Sequence, residues 1–295
     1  MTELPKRILV GVSCDPESEG HATLSAADRH TFLHAAWLAE KTGADLRVIH
    51  VVDFLDARLS RDIDVAGEIE RDLDEEMNDL CRGTAATRVF RRGKAWEELI
   101  EEVRVFAADL LVVSPRREEL GFADRIFHGS TTSRVLRHAP CSVWVVAPGA
   151  KVPPTRLLAL VDGSPTSRAI IATAEALAEG LGLERHVLRC LDYPHDIALH
   201  RLPNAQRAIA HYHREVRAEA QRELEALTTN AWRVHLGDDW VVRDAPKLVQ
   251  SEQIDLVVLA TGGRPGLSGV IGLTADKLLH RMPASAWLVR PRPAE

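Results

Sequence analysis

The chain has few cysteines, no excess of basic residues and no long apolar run. Its 295 residues include four cysteines without Cys-x-x-Cys spacing, which predicts reduced thiols. The formal net charge of −6 argues against nucleic acid as a partner. Apolar runs such as Leu110–Val113 are far shorter than the roughly 20 residues of a membrane helix, so no membrane partner is expected. The N-terminus lacks a signal-peptide pattern, which favours a cytoplasmic location.

Common catalytic and metal-binding motifs are also missing. The sequence contains neither a Gly-x4-Gly-Lys-Ser/Thr phosphate loop nor a His-Glu-x2-His motif. Four histidines crowd one segment, but none of them has ligand spacing, so solvated or helix-end roles are favoured over a metal site: His195, His200, His211 and His213. No serine, cysteine or carboxylate pair has a recognised catalytic spacing. We therefore predict no catalytic residues, no metal ligands and no enzyme of a familiar type.

The main positive feature is an internal repeat. The segment "ILVGVSCD" at Ile8–Asp15 matches "LLALVDGS" at Leu157–Ser164, "DLLVV" matches "DLVVL", and "VLRHAPCSVWVV" matches "LLHRMPASAWLV". The matched segments lie about 145 residues apart, which indicates a duplicated domain rather than a short-period solenoid. We expect a first domain at residues 1–148 and a second at 155–292. The linker between them contains Gly149, Pro153 and Pro154.

Each half shows the pattern of an α/β domain. Its short, branched apolar runs suit strands that are buried on both faces of a parallel sheet. Helical stripes lie between these runs, for example Leu33, Ala36 and Trp37 on one expected face. Alternation of strand and helix predicts a Rossmann-like, doubly wound domain with a five-stranded parallel sheet in each half. A ligand crevice is then expected beyond the carboxyl ends of the central strands.

Two segments of the second half should face this crevice. Its first strand ends in Val161, Asp162 and Gly163. The Asp162 carboxylate can accept a hydrogen bond from a base or ribose, or it can cap the next helix, and residue preference alone favours capping. After the fourth strand comes a glycine-rich segment whose backbone N–H groups can approach an anion, although a flexible surface loop is an equally good interpretation. The candidate residues there are Ala260, Gly262, Gly263, Arg264, Gly266, Gly272 and Thr274.

The first half differs at the matching place. Ser114 is followed by Pro115, two arginines and two glutamates, where proline has no N–H to donate and the glutamates would repel phosphate. We therefore expect the first crevice to be closed or repurposed.

Both halves resemble the universal stress protein family, and the whole chain is similar to its tandem two-domain type. The resemblance rests on "RILVGVSCD", "FRRGKAWEELIEEV" and "GSTTSRVLRHAPCSVWVV" in the first half, and on "LLALVDGS", "DLVVLATGGRPGLSG" and "LTADKLLHRMPASAWLV" in the second. It implies a cytoplasmic stress-response protein with strand order 3-2-1-4-5 in each sheet. It also implies that edge strands Ser142–Val146 and Ser285–Val289, with Trp144 and Trp287, pair antiparallel in an intramolecular pseudo-dimer. Such units can pair further into a homodimer.

Some family members bind ATP through Gly-x2-Gly-x9-Gly-Ser/Thr with an aspartate near the adenosine, and others bind no nucleotide. Here Asp162 occupies the aspartate position and Gly263 the second glycine, but Ala260 replaces the first. Gly272 stands one residue too early before Thr274. The resemblance therefore implies an ATP site, if any, in the second half alone.

The leading hypothesis is a non-enzymatic stress-response protein that acts by ligand-linked binding and signalling. Its small-molecule ligand would be ATP or another compound held by the second half. One alternative is a nucleotide-independent carrier or sensor of an apolar or acyl molecule, since a crevice without a phosphate cradle keeps mainly apolar walls. A weaker alternative is a slow ATP hydrolase, for which the sequence offers no water-positioning group.

Overall fold

The computed structural model describes residues 3–13, 23–52, 65–114, 130–201, 203–260 and 273–290. In this part of the chain, strands and helices alternate. The strands are β1 Arg7–Val12, β2 Asp45–Val52, β3 Ala86–Arg92, β4 Leu110–Val113, β5 Ser142–Val145, β6 Arg156–Val161, β7 Glu184–Cys190, β8 Trp232–Gly237, β9 Leu256–Ala260 and β10 Ser285–Val289. The helices are α1 Ala26–Thr42, α2 Val65–Leu80, α3 Ala95–Phe106, α4 Ser130–His138, α5 Thr166–Leu181, α6 Asp196–Leu199, α7 Ala205–Leu227, α8 Val241–Ser251 and α9 Leu273–Arg281.

All ten strands belong to one sheet with the order β3-β2-β1-β4-β5-β10-β9-β6-β7-β8. The strands are parallel within each half, and β5 pairs with β10 in the antiparallel direction. Trp144 lies opposite Trp287 in this pair, so the antiparallel pairing expected for the two edge strands is present. The halves are thus joined edge to edge in one continuous sheet, and each half keeps the strand order 3-2-1-4-5.

Helices cover both faces of the sheet, as its nearly continuous apolar strands require. One hydrophobic core packs the sheet against α1, α2, α5 and α7. The other core packs the opposite face against α3, α4, α8 and α9. Every residue of β4 and β10 is buried. This confirms the predicted α/β doubly wound fold, and no helix within the described ranges is long and apolar enough to cross a membrane.

The buried face of α1 overlaps the expected one in part. Leu33 is 49% exposed, whereas Phe32 and Leu38 are buried. The inward stripe also contains the small residue Ala35, which allows the helix to approach the strands closely. Of the predicted residues, Ala36 and Trp37 are partly buried against the core, and Leu33 lies at the exposed border of the buried face.

The connection between the halves is held by two histidines of α1. His30 Nε2 lies 2.7 Å from the Ala150 carbonyl oxygen, and His34 Nε2 lies 3.2 Å from that of Lys151. Burial lowers the pKa of His34 below its ordinary value. The His34 ring also meets Trp144 edge-on, with centroids 5.5 Å apart, so the linker is tied to the seam between the halves.

Candidate functional site

In the second half, the predicted crevice is bordered by the carboxyl ends of β6 and β9. These strands pair as far as Ala159 opposite Val258, and continuing this register places Val161 opposite Ala260. The structure therefore brings together the end of the first strand and the start of the glycine-rich segment. Five of the predicted residues lie outside the described part of the chain, namely Gly262, Gly263, Arg264, Gly266 and Gly272. Thr274 lies in the first turn of α9, where its backbone alone is described.

Asp162 is an exposed residue that organises the turn after β6. Its Oδ1 accepts hydrogen bonds from Ser164 N at 2.9 Å and Ser167 Oγ at 3.2 Å. Burial of the carboxylate raises its pKa, but the hydrogen bonds from Ser164 and Ser167 outweigh this effect and lower the pKa of Asp162 below its usual value. The carboxylate therefore stays ionised. Its Oδ2 accepts no hydrogen bond from any residue that the structure describes.

The capping role expected for Asp162 takes a different form. The N-cap of α5 is Pro165, which makes no side-chain cap bond. Asp162 instead closes an Asx turn just before the helix, a common use of a side chain that bonds to a backbone N–H two residues on. This turn leaves half of the carboxylate directed elsewhere, so the structural and ligand-binding roles of Asp162 are compatible.

Arg189 at the end of β7 is a crevice residue that the sequence analysis missed. Gly163 has φ +78°, and a Cβ atom there would lie 2.8 Å from Arg189 Nη2. The guanidinium group thus packs directly on the turn that Asp162 organises, and it also forms an ion pair with Glu223 of α7. The only available signal was the position of Arg189 at the carboxyl end of a strand.

The first half has a closed hydrogen-bond cluster at the matching place. Asp28 in the first turn of α1 is 2% exposed. Its Oδ2 accepts bonds from Ser13 N at 3.1 Å, Ser13 Oγ at 2.7 Å and Ser25 Oγ at 2.7 Å. Its Oδ1 accepts a bond from Ser114 Oγ at 2.5 Å. Because Ser13 and Ser114 follow β1 and β4, Asp28 ties both strand ends to α1.

In each half, a hydrogen bond joins the end of the first strand to the first turn of the next helix, but the donor and the acceptor have exchanged places. The repeat aligns Ser13 with Asp162, so the strand end carries a hydroxyl in the first half and a carboxylate in the second. The first turn of the following helix carries the other member of the pair, Asp28 or Ser167. As a result, the carboxylate of the first half is buried with both oxygens engaged, whereas that of the second half is exposed and accepts hydrogen bonds through Oδ1.

A polar and aromatic unit follows β7. Tyr193 donates a hydrogen bond to Asp238 at 2.9 Å, and burial together with this bond raises the pKa of Tyr193 to about 12. The His213 ring stacks on Tyr193 with centroids 3.8 Å apart, and His213 Nε2 lies 2.7 Å from Asp196 Oδ1. His213 is therefore a partly buried residue in the middle of α7, not the solvated or terminal histidine that was expected. The unit fixes α6 against α7 at the edge of the second half.

Comparison with known proteins identifies the family. The model of the universal stress protein family matches residues 5–147 and again residues 154–290. The chain therefore belongs to the universal stress protein family, and it is a tandem of two such units.

Solved structures share this tandem fold over almost the whole chain. A universal stress protein from Archaeoglobus fulgidus is 15% identical, with 98% of this chain and 97% of that chain covered at a TM-score of 0.66. A protein from Pseudomonas aeruginosa UCBPP-PA14 assigned to the same family is 19% identical, with 97% and 93% covered at a TM-score of 0.65. A protein of unknown function from Pseudomonas aeruginosa PAO1 is 19% identical, with 96% and 92% covered at 0.64. At these identities the likeness shows the fold alone.

Proposed function

We propose that the protein is a non-enzymatic cytoplasmic stress-response protein whose second half binds a small ligand, with ATP as the first candidate. In this proposal, residues 155–292 form the binding domain and residues 1–148 form a scaffold domain. The two domains behave as an intramolecular pseudo-dimer across β5 and β10. Ligand binding changes the conformation that protein partners recognise, and no chemical step is required.

The contrast between Asp162 and Asp28 carries this proposal. An ionised and exposed carboxylate with a free oxygen can accept hydrogen bonds from a ribose or an exocyclic amine. Asp28 cannot do so without breaking its bonds to the surrounding serines. The second crevice thus offers the Asp162 carboxylate to a ligand, whereas in the first half the Asp28 carboxylate is bonded to the protein's own serines.

The remaining predicted residues complete the site in the same proposal. Val161, Gly163 and Ala260 border the crevice at the strand ends. The backbone N–H groups of Gly262, Gly263, Gly266 and Gly272 hold the phosphates, together with Arg264 and Thr274. The start of α9 adds the partial positive charge of a helix N-terminus.

Isothermal titration calorimetry with ATP tests the proposal. The wild type should bind at a single site, and Gly263→Asp should abolish binding by placing a carboxylate beside the phosphates. Gly129→Asp introduces an aspartate directly before Ser130 in the first half and should leave the affinity unchanged. Asp162→Asn keeps the turn but removes the charge. Loss of a charged hydrogen bond of about 1.5–3 kcal/mol should then weaken binding about ten- to a hundredfold.

The other outcomes are informative. If a folded wild type gives no heat with ATP, nucleotide binding is wrong, and native mass spectrometry would then reveal whether an apolar or acyl ligand co-purifies. Release of phosphate above background that is lost in Gly263→Asp would show that the protein is an ATP hydrolase and would overturn the non-enzymatic assignment.

A further inference from the structure

A surface groove lies between α8 and α9, on the face of the sheet opposite α5 and α7. Its volume is about 430 Å³, within the usual range of about 300–1,000 Å³ for small-molecule sites. Its lining combines charged groups with an apolar floor and consists of Asp239, Val242, Arg243, Pro246, Lys247 and Arg281. This groove is separate from the crevice beside Asp162, so an inference about it does not rest on the proposed function.

The groove has a surplus of positive charge. Arg243 Nη1 lies 3.3 Å from Asp239 Oδ2, and Lys247 Nζ lies 3.5 Å from Asp244 Oδ1. Asp239 precedes α8 and Asp244 lies in its first turn, and both pairs join near neighbours in sequence whose cations are exposed, so they contribute little stability. Arg281 forms no ion pair with any residue in the described ranges. The lining has three cations and one carboxylate, and Asp244 beside Lys247 adds a second carboxylate, so one positive charge remains in excess.

The first half shows that the fold itself does not require this charge. Counted from the first residue of each helix, Arg243 and Lys247 of α8 correspond to Glu97 and Glu101 of α3. The two halves therefore carry opposite charges at equivalent exposed positions. Both helices pack their apolar faces on the same side of the sheet, so the cations are a property of the second half that packing does not explain.

An exposed aromatic ring adjoins the groove. Trp240 follows the lining residue Asp239, and its side chain is 53% exposed. Lys277 Nζ lies over the Trp240 ring, 4.7 Å from its centroid. With Val242 and Pro246 as the floor, the region offers an apolar surface beside the cations. A ligand with an anionic group and a flat apolar part would use both features.

We propose that this groove binds a small phosphate monoester that carries an aromatic or apolar group. The planar donors of Arg243 and Arg281 match the geometry of phosphate oxygens. A phosphate monoester carries about 1.5–2 negative charges near pH 7, which would neutralise the excess positive charge of the groove. Lys247 adds a third donor, and the ring of the ligand packs against Trp240.

Nuclear magnetic resonance titration with phenyl phosphate tests this proposal on the full chain. The indole N–H signal of Trp240, assigned with Trp240→Phe, should shift saturably with a Kd of about 1 mM or tighter. The double variant Arg243→Glu/Lys247→Glu imports the charges of the first half and should weaken binding at least tenfold, by about 1.4 kcal/mol or more. Arg214→Glu/Arg222→Glu on α7 changes the net charge equally and should leave the Kd unchanged.

Several results would overturn the proposal. They are the absence of a saturable shift in the wild type, equal binding by the Arg243→Glu/Lys247→Glu variant, and equal binding of sulfate, which would indicate an adventitious anion only. If circular dichroism shows that the double variant is unfolded, Arg281→Gln replaces it with the same expected tenfold loss. Gly263→Asp should retain phenyl phosphate binding, which distinguishes this groove from the crevice.

Discussion

Replacing Asp28 with alanine tests whether the first crevice is held closed by its own carboxylate. The substitution removes four accepted hydrogen bonds, which come from Ser13 N, Ser13 Oγ, Ser25 Oγ and Ser114 Oγ. It also disconnects α1 from the ends of β1 and β4. A stability loss is expected because the donors lose a partner at a site where Asp28 is only 2% exposed.

The expected magnitude follows from opposing terms. A hydrogen bond to a charged group contributes about 1.5–3 kcal/mol, so four independent bonds would suggest a very large loss. Burial of a carboxylate costs several kcal/mol in return, and bonds to one acceptor are not additive. The net loss in free energy of unfolding should therefore be about 2–4 kcal/mol.

Urea denaturation followed by circular dichroism at neutral pH measures this loss. Asp162→Ala is the matched control, because Asp162 is exposed and its Oδ2 is unused by the described residues. The control removes two hydrogen bonds to one oxygen of an exposed residue and should lose about 1 kcal/mol, clearly less than Asp28→Ala. Equal losses for the two variants, or no loss for Asp28→Ala, would refute the inferred exchange of roles between the halves.

Three further predictions concern other parts of the fold. Burial lowers the pKa of His186 and of His235 below the ordinary 6.5. Below pH 6.5 the unfolded chain therefore binds more protons than the folded chain, so the stability of the fold decreases as the pH falls. In thermal melts, the melting temperature of the His186→Leu/His235→Leu variant should decrease less than that of the wild type between neutral and acidic pH. Gly163→Ala and Gly182→Ala should each cost about 1–2 kcal/mol in urea denaturation, because both glycines have positive φ and the Arg189 guanidinium beside Gly163 can move aside; no loss for Gly163→Ala would refute the left-handed conformation of this turn. Leu288→Pro in β10 should cost about 1–3 kcal/mol more than Leu288→Ala in the same assay, because proline removes a ladder hydrogen bond from a strand that pairs with β5 on one side and β9 on the other; equal free energies of unfolding would argue against a central position of β10 in the sheet.

The architecture could be predicted from sequence because its signals are local or repeated. The run Leu110–Val113 is apolar throughout and becomes β4 with the same bounds. The repeat placed Trp144 and Trp287 at equivalent positions, and they face each other with centroids 5.7 Å apart. Short buried strands can be predicted because they depend on residues that are adjacent in the chain. The duplication can be predicted because its two copies can be aligned with each other.

The site was less predictable because its key contacts join distant residues. Asp28 meets Ser114 across 86 positions, and no spacing rule marks such a pair. Arg189 packs on Gly163 through the register of β6 and β7. The sequence drew attention to Asp162 as a candidate, but which of its oxygens is available depends on the neighbours that donate to Oδ1. Side-chain direction and competition among donors decide the chemistry, and neither can be read from residue types alone.

The seam explains why the first half is needed even if it binds no ligand. A sheet edge exposes unpaired N–H and C=O groups that invite association. β10 avoids this because β5 lies beside it, and Ser285 Oγ accepts a further hydrogen bond from Ala147 N at 3.0 Å. The Trp144 and Trp287 rings pack at the same boundary. The first half therefore stabilises the strand that pairs with β9, one of the two strands that border the second crevice. Closure of its own crevice by Asp28 leaves that role intact.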